Sequence, residues 1–253
     1  MFKIKDEVKL IAIDMDGTLL NENHELSPYT KSVIKRAQEK GIHIVLSTGR
    51  PLVLCYDYHQ DLALKTDIVT ANGAQIWTPN KKILAEYTFD SSIAEELWHY
   101  GNLNNHYMWM VATNEMFRNS SRPSLFQNYD WIKLGFGRLS AEEKSIIWEK
   151  LIKISDLEIT SSSRYNVEVN PKNVNKANGL KIVTERLGIS FNNVIAIGDS
   201  LNDKTMLEAA QIGVAMDNAI PEIKELADVI TDSNQNDGVA KVINHVIKEQ
   251  DKL

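Results

Sequence analysis

The stretch IAIDMDGTLL, residues 11–20, runs from an apolar segment directly into two carboxylates and a glycine. Asp14 and Asp16 are two residues apart, and on an extended chain such side chains project to a similar side. Crowded carboxylates raise each other's pKa unless a cation compensates their charge. Gly17 allows the chain to turn sharply after them. The stretch therefore indicates a site where other charge-handling groups converge.

The composition is that of an ordinary globular protein and excludes several classes of function. The chain has 253 residues, of which 43% are hydrophobic and 25% charged, with a formal net charge of −6. This acidic balance argues against nucleic acid or an anionic membrane as a partner, because both require an excess of Lys and Arg. Cys55 is the only cysteine, so no intramolecular disulfide can form. No apolar run has the length of a signal peptide or a membrane span, and we expect a cytoplasmic protein.

Short apolar runs that end in small or polar residues recur along the chain and predict strands covered on both faces, as in a parallel sheet. Helical patterns lie between most of them. One begins at Ser27 and Pro28 and stops at Gly41, and another stops at Gly188. This alternation predicts an α/β fold, a doubly wound, Rossmann-like parallel sheet. The runs are residues 10–14, 42–48, 67–73, 193–199, 212–216 and 228–232.

The middle of the chain departs from this alternation. We interpret residues 82–171 as an inserted α+β cap domain and residues 1–81 and 172–253 as one discontinuous core domain. Within the insert, YNVEVNP alternates as a half-exposed antiparallel strand does, and capping boxes are expected at Ser92–Glu95 and Ser140–Glu143. The insert can form its own small hydrophobic core, since it holds four of the five tryptophans, Trp98, Trp109, Trp131 and Trp148.

Polar residues follow the predicted strands where each one ends. Ligands of open α/β sheets bind beyond the carboxyl ends of the strands, so these residues are the candidates for a site. Oxygen ligands without Cys pairs or spaced His favour Mg²⁺, which commonly uses one or two carboxylates together with a substrate phosphate. The strand-end residues are Asp14, Asp16, Thr48, Gly49, Arg50, Asn72, Gly73, Asp199, Asn202 and Asp203.

A carboxylate near Mg²⁺ can attack phosphorus and form an aspartyl-phosphate if the approaching negative charges are screened. Asp14 is the candidate nucleophile. Lys176, just before a helix that leads back into the core domain, is the candidate for additional screening. Asp16 is placed to protonate the leaving oxygen and then to deprotonate water.

Seven motifs, in this order, resemble those of the haloacid dehalogenase superfamily, specifically the Cof-type phosphatases with a large α+β cap. The resemblance covers both ends of the chain. Ala177 departs from the family pattern, in which a glycine commonly follows the lysine, and the insert is somewhat short for this group. The motifs are DMDGTLL (14–20), STGRP (47–51), ANGA (71–74), NVNKANGL (173–180), GDSLNDKTML (198–207), GVAMDNA (213–219) and NDGVAKVI (236–243).

The resemblance implies a role for each matching position. The implied catalytic residues are Asp14 as nucleophile, Asp16 as acid and base, and Lys176 as the neutralising lysine. The implied phosphate-binding and pocket residues are Thr48, Gly49, Arg50, Asn72 and Asn202. The implied Mg²⁺ ligands are Asp14, Asp199 and the backbone carbonyl of Asp16, with Asp203 close by.

These observations predict a Mg²⁺-dependent phosphatase for small phosphorylated metabolites, with sugar phosphates as the favoured class, acting as a monomer or small homo-oligomer. One alternative is a phospho-receiver, which uses the same aspartate chemistry without catalytic turnover. The other is a phosphosugar mutase. An EF-hand is remote because Leu19 stands where its glycine would be. Cys55 is expected to be a buried structural thiol. Four arginines of the insert could bind a second anionic group of the substrate, although surface exposure to solvent is the default expectation for them. They are Arg118, Arg122, Arg138 and Arg164.

Overall fold

The computed structural model describes residues 2–252, which form three sheets and the helices around them. The strands are β1 (Leu10–Ile13), β2 (His43–Leu46), β3 (Ile68–Thr70), β4 (Gln75–Trp77), β5 (Ile83–Glu86), β6 (Tyr107–Ala112), β7 (Met116–Arg118), β8 (Trp131–Gly137), β9 (Leu157–Thr160), β10 (Val167–Pro171), β11 (Val194–Gly198), β12 (Ile212–Ala215) and β13 (Val229–Ile230). The α-helices are α1 (Pro28–Glu39), α2 (Tyr56–Asp61), α3 (Ser91–Leu103), α4 (Ala141–Leu151), α5 (Lys176–Leu187), α6 (Lys204–Ala209), α7 (Pro221–Leu226) and α8 (Gly238–Gln250).

The first sheet is parallel and has the strand order β13-β12-β11-β1-β2. In register, Ile13 of β1 lies opposite Ile197 of β11 and Leu46 of β2. The strands β1, β11 and β12 are buried along their whole length, as their continuous apolar sequences predict. The predicted α/β fold with a parallel sheet is confirmed.

The run at 67–73 differs from the prediction of one more parallel strand. A single parallel bridge, between Ser47 and Val69, links β3 to the end of β2. A 3₁₀ turn at Ala71–Gly73 then reverses the chain, and β3, β4 and β5 form a separate antiparallel sheet. Asn72 within this turn has φ 60°, a left-handed conformation that asparagine tolerates better than most residues.

The helices begin and end mostly where the sequence predicts. Ser27 caps α1 by accepting a hydrogen bond from Thr30, and Gly188 ends α5 with φ 66°. The capping box at Ser140–Glu143 is confirmed at α4. The box expected at Ser92–Glu95 is wrong, because Asp90 precedes Ser92 and its carboxylate accepts the Ser92 backbone N–H at 2.7 Å.

The second five-stranded sheet is antiparallel, with the order β7-β6-β8-β10-β9. With α3 and α4 it encloses a hydrophobic cluster drawn from residues 89–169 that is separate from the main cluster around the parallel sheet. The strand β5 lies just after the predicted boundary at 81/82 but pairs with β4. The chain therefore enters the second sheet only after Glu86. The assignment of 82–171 as an independent domain stays a prediction.

A small apolar cluster lies between the two larger units. It joins Ala71 and Ala74, next to the 3₁₀ turn, to Val111 and Ile132 of the second sheet and to Val174 before α5. This contact positions the second sheet against the turn that follows β3 and the segment before α5. In residues 2–252 we find no helix with both the length and the apolar character required to cross a membrane.

Candidate active site

The carboxyl ends of β1, β2 and β11 bring the candidate residues together. The Asp14 backbone N–H donates to the Ile197 carbonyl at 3.0 Å, and the Ser47 N–H donates to the Ile13 carbonyl at 3.0 Å. Because the strands are parallel and in register, the residues that follow them leave the sheet at the same edge. Asp14 and Thr48 therefore follow neighbouring strands, as the sequence predicts.

Three carboxylates, those of Asp14, Asp199 and Asp203, form what we call the acid cluster. One oxygen from each lies within 4.8 Å of the others, and all three residues are buried. The ammonium group of Lys176 donates to Asp14 Oδ1 at 2.5 Å and to Asp203 Oδ1 at 2.6 Å. Lys176 is itself completely buried. The structure thus brings Lys176 and Asp199 to Asp14 across more than 160 positions of sequence.

Hydrogen bonds fix the orientation of the acid cluster. Asp203 Oδ2 accepts the backbone N–H groups of Asp199 and Ser200 at 2.9 and 3.0 Å. The hydroxyl of Thr18 donates to Asp199 Oδ1 at 2.7 Å. Gly17 has φ 82°, and a Cβ at this position would lie 2.6 Å from Asp199 Oδ2. Glycine is therefore required here both by the backbone conformation and by the approach of the carboxylate.

The charges of the acid cluster are only partly balanced. Burial and the neighbouring Asp203 raise the pKa of Asp14 well above its usual value, although Lys176 opposes this shift. Burial and Asp203 raise the pKa of Asp199 to about 7. Burial lowers the pKa of Lys176, but the carboxylates of Asp14 and Asp203 outweigh it and raise the pKa above its ordinary value. Three carboxylates are balanced by only one ammonium group, and this excess of negatively charged oxygen ligands suits the binding of a hard divalent cation.

The raised pKa of Asp199 predicts a stability change with pH when no metal is bound. Its folded value, about 7, exceeds the ordinary value of about 3.9. The native state therefore binds more protons between these values, and stability falls as the pH rises from about 4 to 7. In calorimetry with EDTA, raising the pH from 5 to 7.5 should lower the melting temperature of the wild type more than that of Asp199→Asn. Equal decreases in the two proteins would contradict the assignment, and Asp217→Asn, at an exposed site, serves as the control.

Asp16 does not join the acid cluster through its side chain. Arg50 binds it in a bidentate pair, with Nε 2.7 Å from Oδ2 and Nη2 2.5 Å from Oδ1. His24 Nδ1 lies 3.3 Å from Asp16 Oδ1. Burial raises the pKa of Asp16, but the hydrogen bonds and charge of Arg50 outweigh it and hold the pKa below its ordinary value. The role of Asp16 as a metal ligand concerns its backbone carbonyl and stays a prediction.

The predicted phosphate-binding residues lie on three adjacent loops. Thr48 is buried, and its hydroxyl accepts the Arg50 backbone N–H at 3.1 Å. The Thr48 carbonyl accepts the backbone N–H of Asn72 at 3.0 Å. The side chain of Asn202 donates to Asn72 Oδ1 at 3.2 Å. Gly49 lies between these groups, since a Cβ there would be 2.9 Å from Asn72 Oδ1.

A cavity of about 250 Å³ opens over Asp14 and Asp16, between the parallel sheet and the second sheet. The sequence analysis did not identify several of its residues. One feature of the sequence could have indicated them, namely Glu168, a charged residue within the alternating YNVEVNP strand. Of the insert residues that the sequence analysis named, Trp109 and Arg118 line the cavity, whereas Trp131 is buried in the core of the second sheet. The lining residues that the sequence did not single out include Tyr107, Met116, Lys133, Ser162, Glu168 and Ser200.

Three other candidate arginines and the cysteine have different surroundings. Arg122 lies over the ring of Phe126, and Arg138 and Arg164 lie over tyrosine rings. None of the three belongs to the lining of the cavity over Asp14 within the described residues. Cys55 is buried, and burial raises the pKa of its thiol to about 12, as expected for a structural thiol.

Comparison with known proteins gives independent evidence about the family and the fold. The haloacid dehalogenase-like hydrolase family matches residues 11–133 and 124–243. A Bacillus subtilis protein named 5-amino-6-(5-phospho-D-ribitylamino)uracil phosphatase YcsE is 41% identical over 239 residues, covering 94% of this chain and 96% of its own. Phosphatase YwpJ, also from Bacillus subtilis, is 29% identical and covers 95% and 100%.

A solved structure of a haloacid dehalogenase-like hydrolase from B. subtilis superimposes with a TM-score of 0.86 at 29% identity, covering 94% of this chain and 99% of that one. The family match, the 41% identical relative and the shared fold confirm the resemblance read from the sequence motifs. The chain belongs to the haloacid dehalogenase-like hydrolase family, and within it the chain is a phosphatase, a phosphoric monoester hydrolase.

Proposed function

We propose that the protein is a Mg²⁺-dependent phosphatase that hydrolyses small phosphate monoesters through an aspartyl-phosphate on Asp14. The observation that carries this proposal is the position of Lys176 between Asp14 and Asp203, beside Asp199. A fully buried lysine that holds a buried carboxylate beneath an open cavity is suited to accept a dianionic phosphate ester.

In the first step, the free oxygen of Asp14 attacks phosphorus. Lys176 binds Asp14 Oδ1, so Oδ2 is the oxygen left to attack. The new Asp14–phosphorus bond forms as the bond between phosphorus and the ester oxygen breaks, and the departing alkoxide takes a proton from Asp16.

In the second step, water attacks the phosphorus of the aspartyl-phosphate. Asp16, now deprotonated, accepts a proton from the water, and the Asp14–phosphorus bond breaks to release inorganic phosphate and the free carboxylate. Arg50 holds Asp16 in its ionised form, so Asp16 must exchange this contact for the reacting oxygen and take up a proton from solvent before the first transfer. Arg50 lines the cavity and is then free to bind a phosphate oxygen, the role predicted for it.

The acid cluster would hold Mg²⁺ through Asp14 and Asp199, with Asp203 beside them. Its carboxylate oxygens are the ligands that Mg²⁺ prefers, and their raised pKa values indicate unbalanced negative charge. Bound Mg²⁺ would screen the repulsion between the Asp14 carboxylate and the anionic ester.

For the substrate we propose a phosphorylated sugar or polyol, and 5-amino-6-(5-phospho-D-ribitylamino)uracil is the first compound to test. Two relatives carry this compound in their names, at 41% and 28% identity. The cavity of about 250 Å³ is slightly smaller than the usual range of ligand pockets, about 300–1,000 Å³, which favours a small substrate. Tyr107 and Trp109, with ring centroids 6.2 Å apart, offer aromatic surface to a planar leaving group.

A screen of phosphorylated metabolites tests the proposed reaction. With Mg²⁺, we expect inorganic phosphate to be released over many turnovers, because Asp16 can complete both proton transfers. EDTA should abolish release and excess Mg²⁺ should restore it. Asp16→Asn should reduce release by about 10²–10⁴-fold.

The same screen separates the alternatives. A stable phosphoprotein without repeated turnover would favour a phospho-receiver, and an isomerised sugar phosphate without free phosphate would favour a mutase. Undiminished release in EDTA after dialysis would contradict the dependence on Mg²⁺.

A further inference from the structure

A buried ion pair in the second sheet contacts the loop that follows β2. Lys133 of β8 donates to Glu168 Oε2 of β10 at 2.8 Å and to the Gly49 carbonyl at 2.8 Å. The side chains of Lys133 and Glu168 are 2% and 5% exposed. Removing two charged groups from water costs free energy, so a buried ion pair is by itself weak evidence for a contribution to stability.

We propose that Lys133 is a positioning residue for the phosphate loop, which we define as residues 48–50. By holding the Gly49 carbonyl, Lys133 fixes the orientation of this loop beside the cavity. The inference rests on the proposed function in that it takes phosphate to be the group that the loop binds.

The close fit around Gly49 supports this role. A Cβ at this position would lie 3.1 Å from Lys133 Nζ as well as 2.9 Å from the side chain of Asn72. The ammonium group is therefore packed against the backbone of the loop and not merely near it. Its hydrogen bond to this strand-end loop restricts the peptide orientations that the loop can adopt.

Glu168 extends the contact to the other phosphate-binding candidates. Its Oε2 also accepts from Asn72 Nδ2 at 2.8 Å, and Asn72 Oδ1 accepts from Asn202. Burial raises the pKa of Glu168. The charge and hydrogen bond of Lys133, together with the hydrogen bonds of Asn72 and Ser162, outweigh burial and hold the pKa below its ordinary value. An ionised Glu168 thus anchors both Lys133 and Asn72.

Lys133 also lines the cavity, so the pattern of losses across substrates is what distinguishes this role from recognition of the leaving group. Lys133 acts on a loop that meets the phosphate, which is common to every substrate. Its loss should weaken the binding of inorganic phosphate and reduce kcat/KM by the same factor for esters with different alcohols. A residue that contacts the leaving group would change the ratio between substrates instead.

The test compares Lys133→Met/Glu168→Gln with Glu168→Gln alone. The double variant removes both charges, so that no buried charge is left unpaired, whereas the single variant retains the Lys133–Gly49 hydrogen bond. Titration calorimetry measures the Kd of inorganic phosphate with Mg²⁺ present, and steady-state assays measure kcat/KM for p-nitrophenyl phosphate and a sugar phosphate. Trp131→Phe, which removes a buried hydrogen bond to Phe126 inside the second sheet, is the control for lost stability.

We expect the double variant to raise the Kd of phosphate about tenfold over Glu168→Gln and to lower both kcat/KM values by a common factor, with Trp131→Phe near wild type. An unchanged Kd, or unequal losses for the two esters, would overturn the role of Lys133. If the double variant does not fold, Lys133→Gln/Glu168→Gln takes its place with two amides. If the wild type binds phosphate but hydrolyses no ester, the proposed function is wrong. The Kd of inorganic phosphate in the variants still tests the role of Lys133 in that case.

Discussion

Asp14→Asn is expected to lower phosphate release by at least about 10⁴-fold while leaving the fold intact. The asparagine side chain lacks the carboxylate that attacks phosphorus. It also removes one negative charge from the acid cluster, where Asp203 and burial already oppose ionisation of Asp14. The metal-free variant should therefore melt at a temperature equal to or above that of the wild type. Steady-state phosphate release with Mg²⁺ and calorimetry with EDTA at pH 7.5 measure the two effects.

Asp61→Asn is the matched control, because it makes the same chemical change at an exposed carboxylate paired with Lys31. It should keep full activity. Near-normal turnover by Asp14→Asn would disprove the nucleophile assignment. If Asp14→Asn instead melts at a lower temperature than the wild type without metal, repulsion within the acid cluster is not the cause of the raised pKa of Asp14.

Lys176→Met is expected to destabilise the protein as well as inactivate it. The substitution leaves Asp14 and Asp203 buried without the ammonium group that contacts both. Breaking a buried ion pair by removing one partner costs about 3–5 kcal/mol, which corresponds to a decrease in melting temperature of roughly 6–20 °C for a chain of this size. Calorimetry in EDTA at pH 7.5 and phosphate release with Mg²⁺ measure these losses.

The stability deficit of Lys176→Met should shrink as the pH falls. Without the lysine, the folded pKa of Asp14 rises further above its unfolded value, so the native state takes up protons at acidic pH and gains stability. Lys172→Met is the control, since Lys172 is exposed and only four residues away. A deficit that is independent of pH, or one shared by Lys172→Met, would contradict the pairing of Lys176 with the acid cluster.

The strand-end residues of the parallel sheet were predictable because two local signals agree. Continuous apolar runs predict buried parallel strands, and the polar residues after them must leave the sheet at one edge. Asp14, Thr48 and Asp199 follow from this rule, and the structure places them at neighbouring strand ends. Lys176 was a candidate from its position before a helix, and the resemblance of its motif supported it. Position before a helix alone does not fix where a lysine points.

The contacts from the second sheet were not predictable, because they depend on how one sheet lies against the other. Lys133 follows two apolar residues of an ordinary strand, and nothing nearby indicates that it reaches Gly49, 84 positions earlier. The pairing of Asp16 with Arg50 was equally hidden, although each residue was a candidate. At α3, two potential caps compete within three residues, and the choice of Asp90 over Ser92 depends on the path of the chain into the helix.

The position of β1 between β2 and β11 has a consequence for synthesis on the ribosome. Leu10–Ile13 can pair with β2 early, but its other edge is completed by Val194–Gly198, about 150 residues after β2. At translation rates of about 5–20 residues per second, the interval lasts roughly 7–30 s. During this time an apolar strand edge stays open to wrong partners, while the second sheet, whose apolar cluster comes from residues 89–169, can already be complete. Nascent chains stalled before residue 194 should therefore depend on chaperones for their first strand.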